Sequence, residues 1–111
     1  MTIDGSRPVD ILPLASGITS NTTSATTRGH IGSKTFWAEV VGTGAVAVTV
    51  NIYGARTIAA ANGVLLATLT LSGTTQAQDA TPTSIAAYPY YYVTTTGISG
   101  TGATVRVEAF Y

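Results

Sequence analysis

The sequence predicts an all-β fold, a small antiparallel β-sandwich or jelly-roll-like domain with an extended N-terminal arm. From Lys34 onward, apolar side chains recur at every second position, the period of strands with one buried face. The alternating runs are punctuated by Gly-rich or Asn-Gly segments, the chemistry of tight turns. Residues 1–33 lack this alternation and are rich in Thr, Ser and Gly. The expected division is therefore an arm over 1–33 and a sandwich over 34–111.

In the arm, only Val9, Ile11, Leu12 and Leu14 are large enough to act as apolar anchors. The stretch from Ser16 to Thr27 offers backbone donors and acceptors but too little apolar surface to order itself. It reads as an arm that reaches neighbouring chains, with a solvated leader as the alternative. Val9 to Leu14 and Ile18 to Thr23 are possible additional strands. In the first sandwich strand, near 34–41, Phe36, Ala38 and Val40 alternate with Trp37, Glu39 and Val41. In the second, near 45–54, Val46, Val48, Val50 and Ile52 share one face. Gly42-Thr43-Gly44 between them predicts a hairpin in which Val40 faces Val46, Ala38 faces Val48 and Phe36 faces Val50.

Asn62-Gly63 precedes a third strand near 64–72, with Leu65, Ala67, Leu69 and Leu71 on one side and Thr68 and Thr70 on the other. Thr57-Ile58-Ala59-Ala60-Ala61 is too short to hold a helix and reads as a loop. The last two strands, near 89–97 and 103–111, flank a Gly-rich segment centred on Gly100. A hairpin there sets Val93 against Val107, Tyr91 against Ala109 and Thr95 against Val105. Gly-Thr-Gly-Ala occurs at 42–45 and again at 100–103, but the buried phase after it slips by one residue. It therefore reads as one turn used twice, not as an internal repeat.

Composition sets the functional classes apart. Ten charged residues among 111, beside 21 Thr, 16 Ala, 12 Gly and 8 Ser, compare with about 25 % charge in ordinary soluble domains. Area scaling gives a monomer of this mass roughly 5,700 Å² of surface, thin cover for so few charges. Such a surface suits burial by copies of itself or by a larger assembly. Zero net charge and scattered cations argue against a nucleic-acid partner. No cysteine is present for disulfides, zinc or thiol chemistry. No basic region followed by an apolar run marks a secretory signal, and the longest apolar stretch is too short for a membrane span, so no membrane partner is expected.

Chemistry is sparse. His30 is the sole histidine and has no Gly-x-Ser-x-Gly elbow beside it, so it reads as a loop residue. Asp4, Asp10, Glu39, Asp79 and Glu108 share no short metal or glycosidase spacing. The glycine-rich segments lack the Lys-Ser or Lys-Thr of a phosphate loop. No enzymatic activity and no cofactor are expected. In the register above, Tyr90 lies opposite Phe110 and Tyr92 opposite Glu108, all outward. Subunit or arm burial, intrachain core and a carbohydrate platform all remain open for Tyr90 and Tyr92, and for Trp37 with them. The candidate interface residues are Trp37, Tyr90, Tyr92, Phe110, Ile11, Leu12 and Leu14.

The run Phe36-Trp37-Ala38-Glu39, then Gly42-Thr43-Gly44-Ala45, Asn51-Ile52-Tyr53-Gly54, Leu69-Thr70-Leu71-Ser72-Gly73-Thr74, Tyr88-Pro89-Tyr90 and Gly97-Ile98-Ser99-Gly100-Thr101-Gly102-Ala103 resembles small tailed-bacteriophage virion proteins. The combination spans about two thirds of the chain. The resemblance implies a capsid decoration or cement protein on the capsid surface, made in the host cytoplasm. It implies the major capsid protein as partner and self-association, with a trimer the first guess. A tail, neck or head-fibre subunit is the alternative role, and a module for host glycans the alternative of another class.

Overall fold

The computed structural model describes residues 11–29, 34–58, 63–83 and 88–110. Val9, His30 and residues 59–61 lie outside the described residues. The chain is all-β: β1 (Ile11–Ile18), β2 (Thr22–Thr23), β3 (Thr27–Arg28), β4 (Lys34–Ala55), β5 (Val64–Thr83) and β6 (Tyr90–Phe110). They form one antiparallel sheet in the order β1-β6-β4-β5, with β2 and β3 also paired to β6.

The period-two pattern is realised, but the two Gly-Thr-Gly segments are not hairpins. β4 continues through Gly42-Thr43-Gly44, and β6 continues through 97–102. Val40 pairs with Ala77 and Val105, while Val46 pairs with Gly73. A straight strand of 22 residues would reach roughly 70 Å at about 3.3 Å per residue, yet the largest dimension of the molecule is 43 Å. The strands must bend, and the irregularities lie on one line across the sheet. Register shifts fall between Val41 and Ala45 in β4, opposite Thr74–Gln76 in β5 and the glycine segment of β6. Gly44, Thr75, Gly97, Gly100 and Gly102 take positive φ on that line. Bulges and glycines are how a strand turns a sandwich corner. The two Gly-Thr-Gly-Ala copies sit side by side there, with Thr43 paired to Thr101.

The bend brings the two ends of β4 together. Tyr91 pairs with Gly54 at the end of β4, yet its ring meets that of Phe36 edge-on at 5.9 Å, and Lys34 Nζ lies 5.4 Å from it. The sheet is thus folded onto itself as two layers in a body 19 Å thick. The closure also explains the β5–β6 connection. It links Thr83, level with Lys34, to Tyr90, level with Ala55, and so short a segment spans at most about 25 Å.

One core fills the space between the layers. Phe36, Ala38, Val40, Val46, Val48, Val50 and Ile52 of β4 all point into it, with Leu69 and Leu71 of β5 and Tyr91, Val93, Ala103, Val105, Val107 and Ala109 of β6. The inward phase is the same on both sides of the bend. Residues expected as neighbours across a hairpin, such as Val93 and Val107, instead belong to opposite halves of a bent strand and share the core. Burial of each such Val, Leu, Ile or Phe contributes roughly 1.5–3 kcal/mol, and this core stabilises a chain without disulfides.

Two further expectations change. The third strand runs on to Thr83 rather than ending near residue 72. A register shift between Ile52 and Tyr53 also takes Leu65 off the inward face, leaving it 52 % exposed. The segment read as an arm towards other chains lies, over residues 11–29, along its own β6. Its pairing runs from Ile11 opposite Phe110 to Arg28 opposite Tyr90, and Ser24 N donates to Val93 O at 2.8 Å. Leu14 belongs to the core, with Leu12, Ala15 and Ile18 packed against it. Pairing with a long strand supplies the hydrogen bonds, and a few apolar anchors supply the burial, that composition alone does not reveal.

Candidate functional site

With the even positions of β4 committed to the core, its odd positions form the outer faces. On the first half these are Trp37, Glu39 and Val41. Register places Glu108 and Ala80 beside Trp37, and Arg106 and Gln78 beside Glu39. Phe110 and Ile11 continue the face across β6 and β1. Three of the ten charges gather here on a surface otherwise poor in them.

The side chains are tied to one another. Arg106 lies 3.7 Å from Glu39 and 4.0 Å from Glu108, with its guanidinium 5.9 Å from the Trp37 ring. Gln76 Nε2 donates to Glu39 Oε2 at 2.7 Å, and Trp37 Nε1 donates to Gln78 Oε1 at 3.0 Å. Trp37 and Phe110 pack at 6.0 Å between ring centroids. Arg106 thus lies between two carboxylates, leaving the trio with one net negative charge, and near the face of an indole. The Trp37–Gln78 and Gln76–Glu39 hydrogen bonds join side chains across the β4–β5 pair on this face. Beside it, at the bend, an open groove of about 590 Å³ is lined by Gly17, Glu39, Val41, Thr43, Thr104 and Arg106, among others. Among the described residues no three His, Cys, Asp or Glu side chains gather to hold a metal.

The expected interface residues separate into distinct places. Trp37, Phe110 and Ile11 share the face just described, and Ile11 is 59 % exposed. Leu12 is half-buried against the core, and Leu14 is core. Tyr90 is half-buried opposite Ala55 and Arg28, not Phe110. Tyr92 pairs with Tyr53, not Glu108. It is buried beneath its neighbours: the two rings stack at 5.0 Å, and its hydroxyl accepts from Gly63 N at 3.0 Å. Because Phe36 and Tyr91 meet inside, Trp37 and Tyr92 point out from opposite layers. The sugar-stacking platform of Tyr90, Tyr92 and Trp37 is therefore not assembled.

Sequence reasoning missed the Glu39, Arg106, Glu108, Gln76 and Gln78 cluster. Its members lie on three strands and are joined only by the β4–β6 and β4–β5 registers, which the hairpin reading replaced. A second exposed apolar group lies around the β4–β5 connection, where Ile58, Val64 and Leu65 are each more than half exposed.

No family model matches the chain, and no curated protein matches it. Among solved structures, it is similar to a chain of the "Structure of infectious bursal disease virus Gx strain", at 13 % identity and a TM-score of 0.36. The match covers 99 % of this chain and 36 % of that one, so the chain spans about a third of the viral protein's length.

Proposed function

We propose that this chain is a structural component of a tailed-bacteriophage virion, acting as a capsid decoration or cement protein that clamps contacts between major capsid subunits. The observation that carries the reading is the outer face holding Ile11, Phe110 and Trp37. It is a partly exposed aromatic and aliphatic strip, fixed by cross-strand bonds, on a molecule with about one charge per 600 Å². A free-living monomer gains nothing from such a face, whereas a shell subunit offers it cover. The motif series from Phe36 to Ala103 supports the same assignment through its resemblance to small virion proteins. The chemistry proposed is binding, not catalysis: Glu39 and Glu108 are engaged by Arg106.

Decoration of this kind works by repetition. Each copy contributes a weak contact, and symmetric self-association raises the effective concentration of the rest. Cryo-electron microscopy of the virion carrying this chain tests the assignment. The expected density is a small β-sandwich at symmetry-related sites on the outer capsid, with the Trp37 face against the shell. Density confined to the neck, tail or a head fibre would move the chain to that role, and absence from the particle would overturn the proposal.

A further inference from the structure

The two edges of the folded sheet are unlike. One is covered by β1, β2 and β3 running along β6. At the other, β5 has β4 as its sole hydrogen-bonded neighbour among the described residues. Exposed edge strands usually carry lysines, prolines or inward charges that stop another strand from adding. From Val64 to Gln78, β5 has no charged residue and no proline.

The regular part of this edge, between the register shift at Leu65 and the bend at Gly73, is Ala67-Thr68-Leu69-Thr70-Leu71-Ser72-Gly73. In chemical class it reads almost the same in both directions about Thr70. Set antiparallel to a copy of itself on a two-fold axis at Thr70, it places Leu69 against Leu71 on the inner side. On the outer side it places Thr68 against Ser72, and Thr70 against Thr70 of the second copy. Leu69 and Leu71 already lie in the core, and Thr68, Thr70 and Ser72 are exposed. Both faces of the sheet therefore keep their character across the joint, with no charge brought against a like charge. Hydroxyl pairs on one face and aliphatic pairs on the other are favourable cross-strand neighbours.

We infer that β5 is a self-association edge, at which two copies join by antiparallel β5–β5 pairing centred on Thr70 into one sheet continuous through both molecules. The overlap forms roughly six to eight inter-strand hydrogen bonds, and the contact is isologous, so it closes at two copies. The trimer expected from the resemblance would need another surface.

Thr70→Lys and Thr70→Glu test this in the full chain. Position 70 is exposed and faces away from the core, so both variants keep the monomer fold, which circular dichroism verifies. Each sets like charges opposite one another at the axis. In sedimentation equilibrium the wild type is expected as a dimer, with each variant about tenfold weaker in self-association. An equimolar mixture of the two is expected to regain dimer through Lys–Glu pairing. Three results would overturn the inference: a wild type that stays monomeric at hundreds of micromolar, a wild-type oligomer that both variants leave unchanged, or folded variants whose mixture fails to associate.

Discussion

Truncating Leu14 separates an N-terminal segment that belongs to the fold from one that only reaches away from it. Leu14 is 5 % exposed and sits in the core cluster although β1 is an edge strand. It falls at the register shift between Pro13, opposite Glu108, and Ala15, opposite Val107, so it is the extra residue of a bulge whose side chain is buried. Buried Leu→Ala changes cost about 2–5 kcal/mol, the spread reflecting how far the site collapses. An edge strand can close in on the space more readily than a central one, so Leu14→Ala is expected to cost about 2–3 kcal/mol. At about 4 °C per kcal/mol for a domain of this size, the melting temperature should fall by about 10 °C. Ile11→Ala, three residues away but 59 % exposed, should cost less than about 1 kcal/mol. Urea and thermal unfolding followed by circular dichroism measure both. Equal, small effects at the two positions would show that β1 does not pack on the sandwich, and the placement of residues 11–18 would be wrong.

Other expectations follow from the bend and the polar ties. At Gly100, φ is +116°, and an added Cβ would lie 2.7 Å from Val46 Cγ1 and 2.9 Å from Ala45 O. Gly100→Ala should therefore cost about 3 kcal/mol, against about 1 kcal/mol for Gly44→Ala, where φ is +75° with open space around the site; chemical denaturation distinguishes them. Tyr92→Phe removes the acceptor for Gly63 N and should cost about 1 kcal/mol in the same assay. Arg106→Ala should change stability by less than about 1 kcal/mol, because the side chain is 54 % exposed and both ion pairs are long. Its unfolding midpoint should accordingly track that of the wild type from low to high salt.

Much of the core was legible in the residues. Phe36, Val40, Val46, Val50 and Ile52 recur at period two and all point inward, because the pleat enforces that alternation whatever joins the strands. What the pattern does not encode is how one run connects to the next. A tight hairpin and a sandwich corner both call for glycine with positive φ, and both bring the same pairs of runs together, side by side in one case and face to face in the other. The second half of β5 carried no strand signal because its side chains from Thr74 to Ala80 are exposed, except Ala77, which packs against the core. Tyr92, expected at an outer interface, is instead buried under Tyr53 and the Gly63 segment, which register alone reveals. The polar face around Arg106 was hidden for the same reason.

The folding of a single sheet along the glycine line sets every face and edge used above, and cross-strand nuclear Overhauser effects test it most directly. The account predicts backbone contacts of Val40 with Val105 and Ala77, contacts of Val46 with Gly73, and ring contacts between Phe36 and Tyr91. Backbone pairing of Val40 with Val46 and of Val93 with Val107 would restore the two hairpins and contradict it.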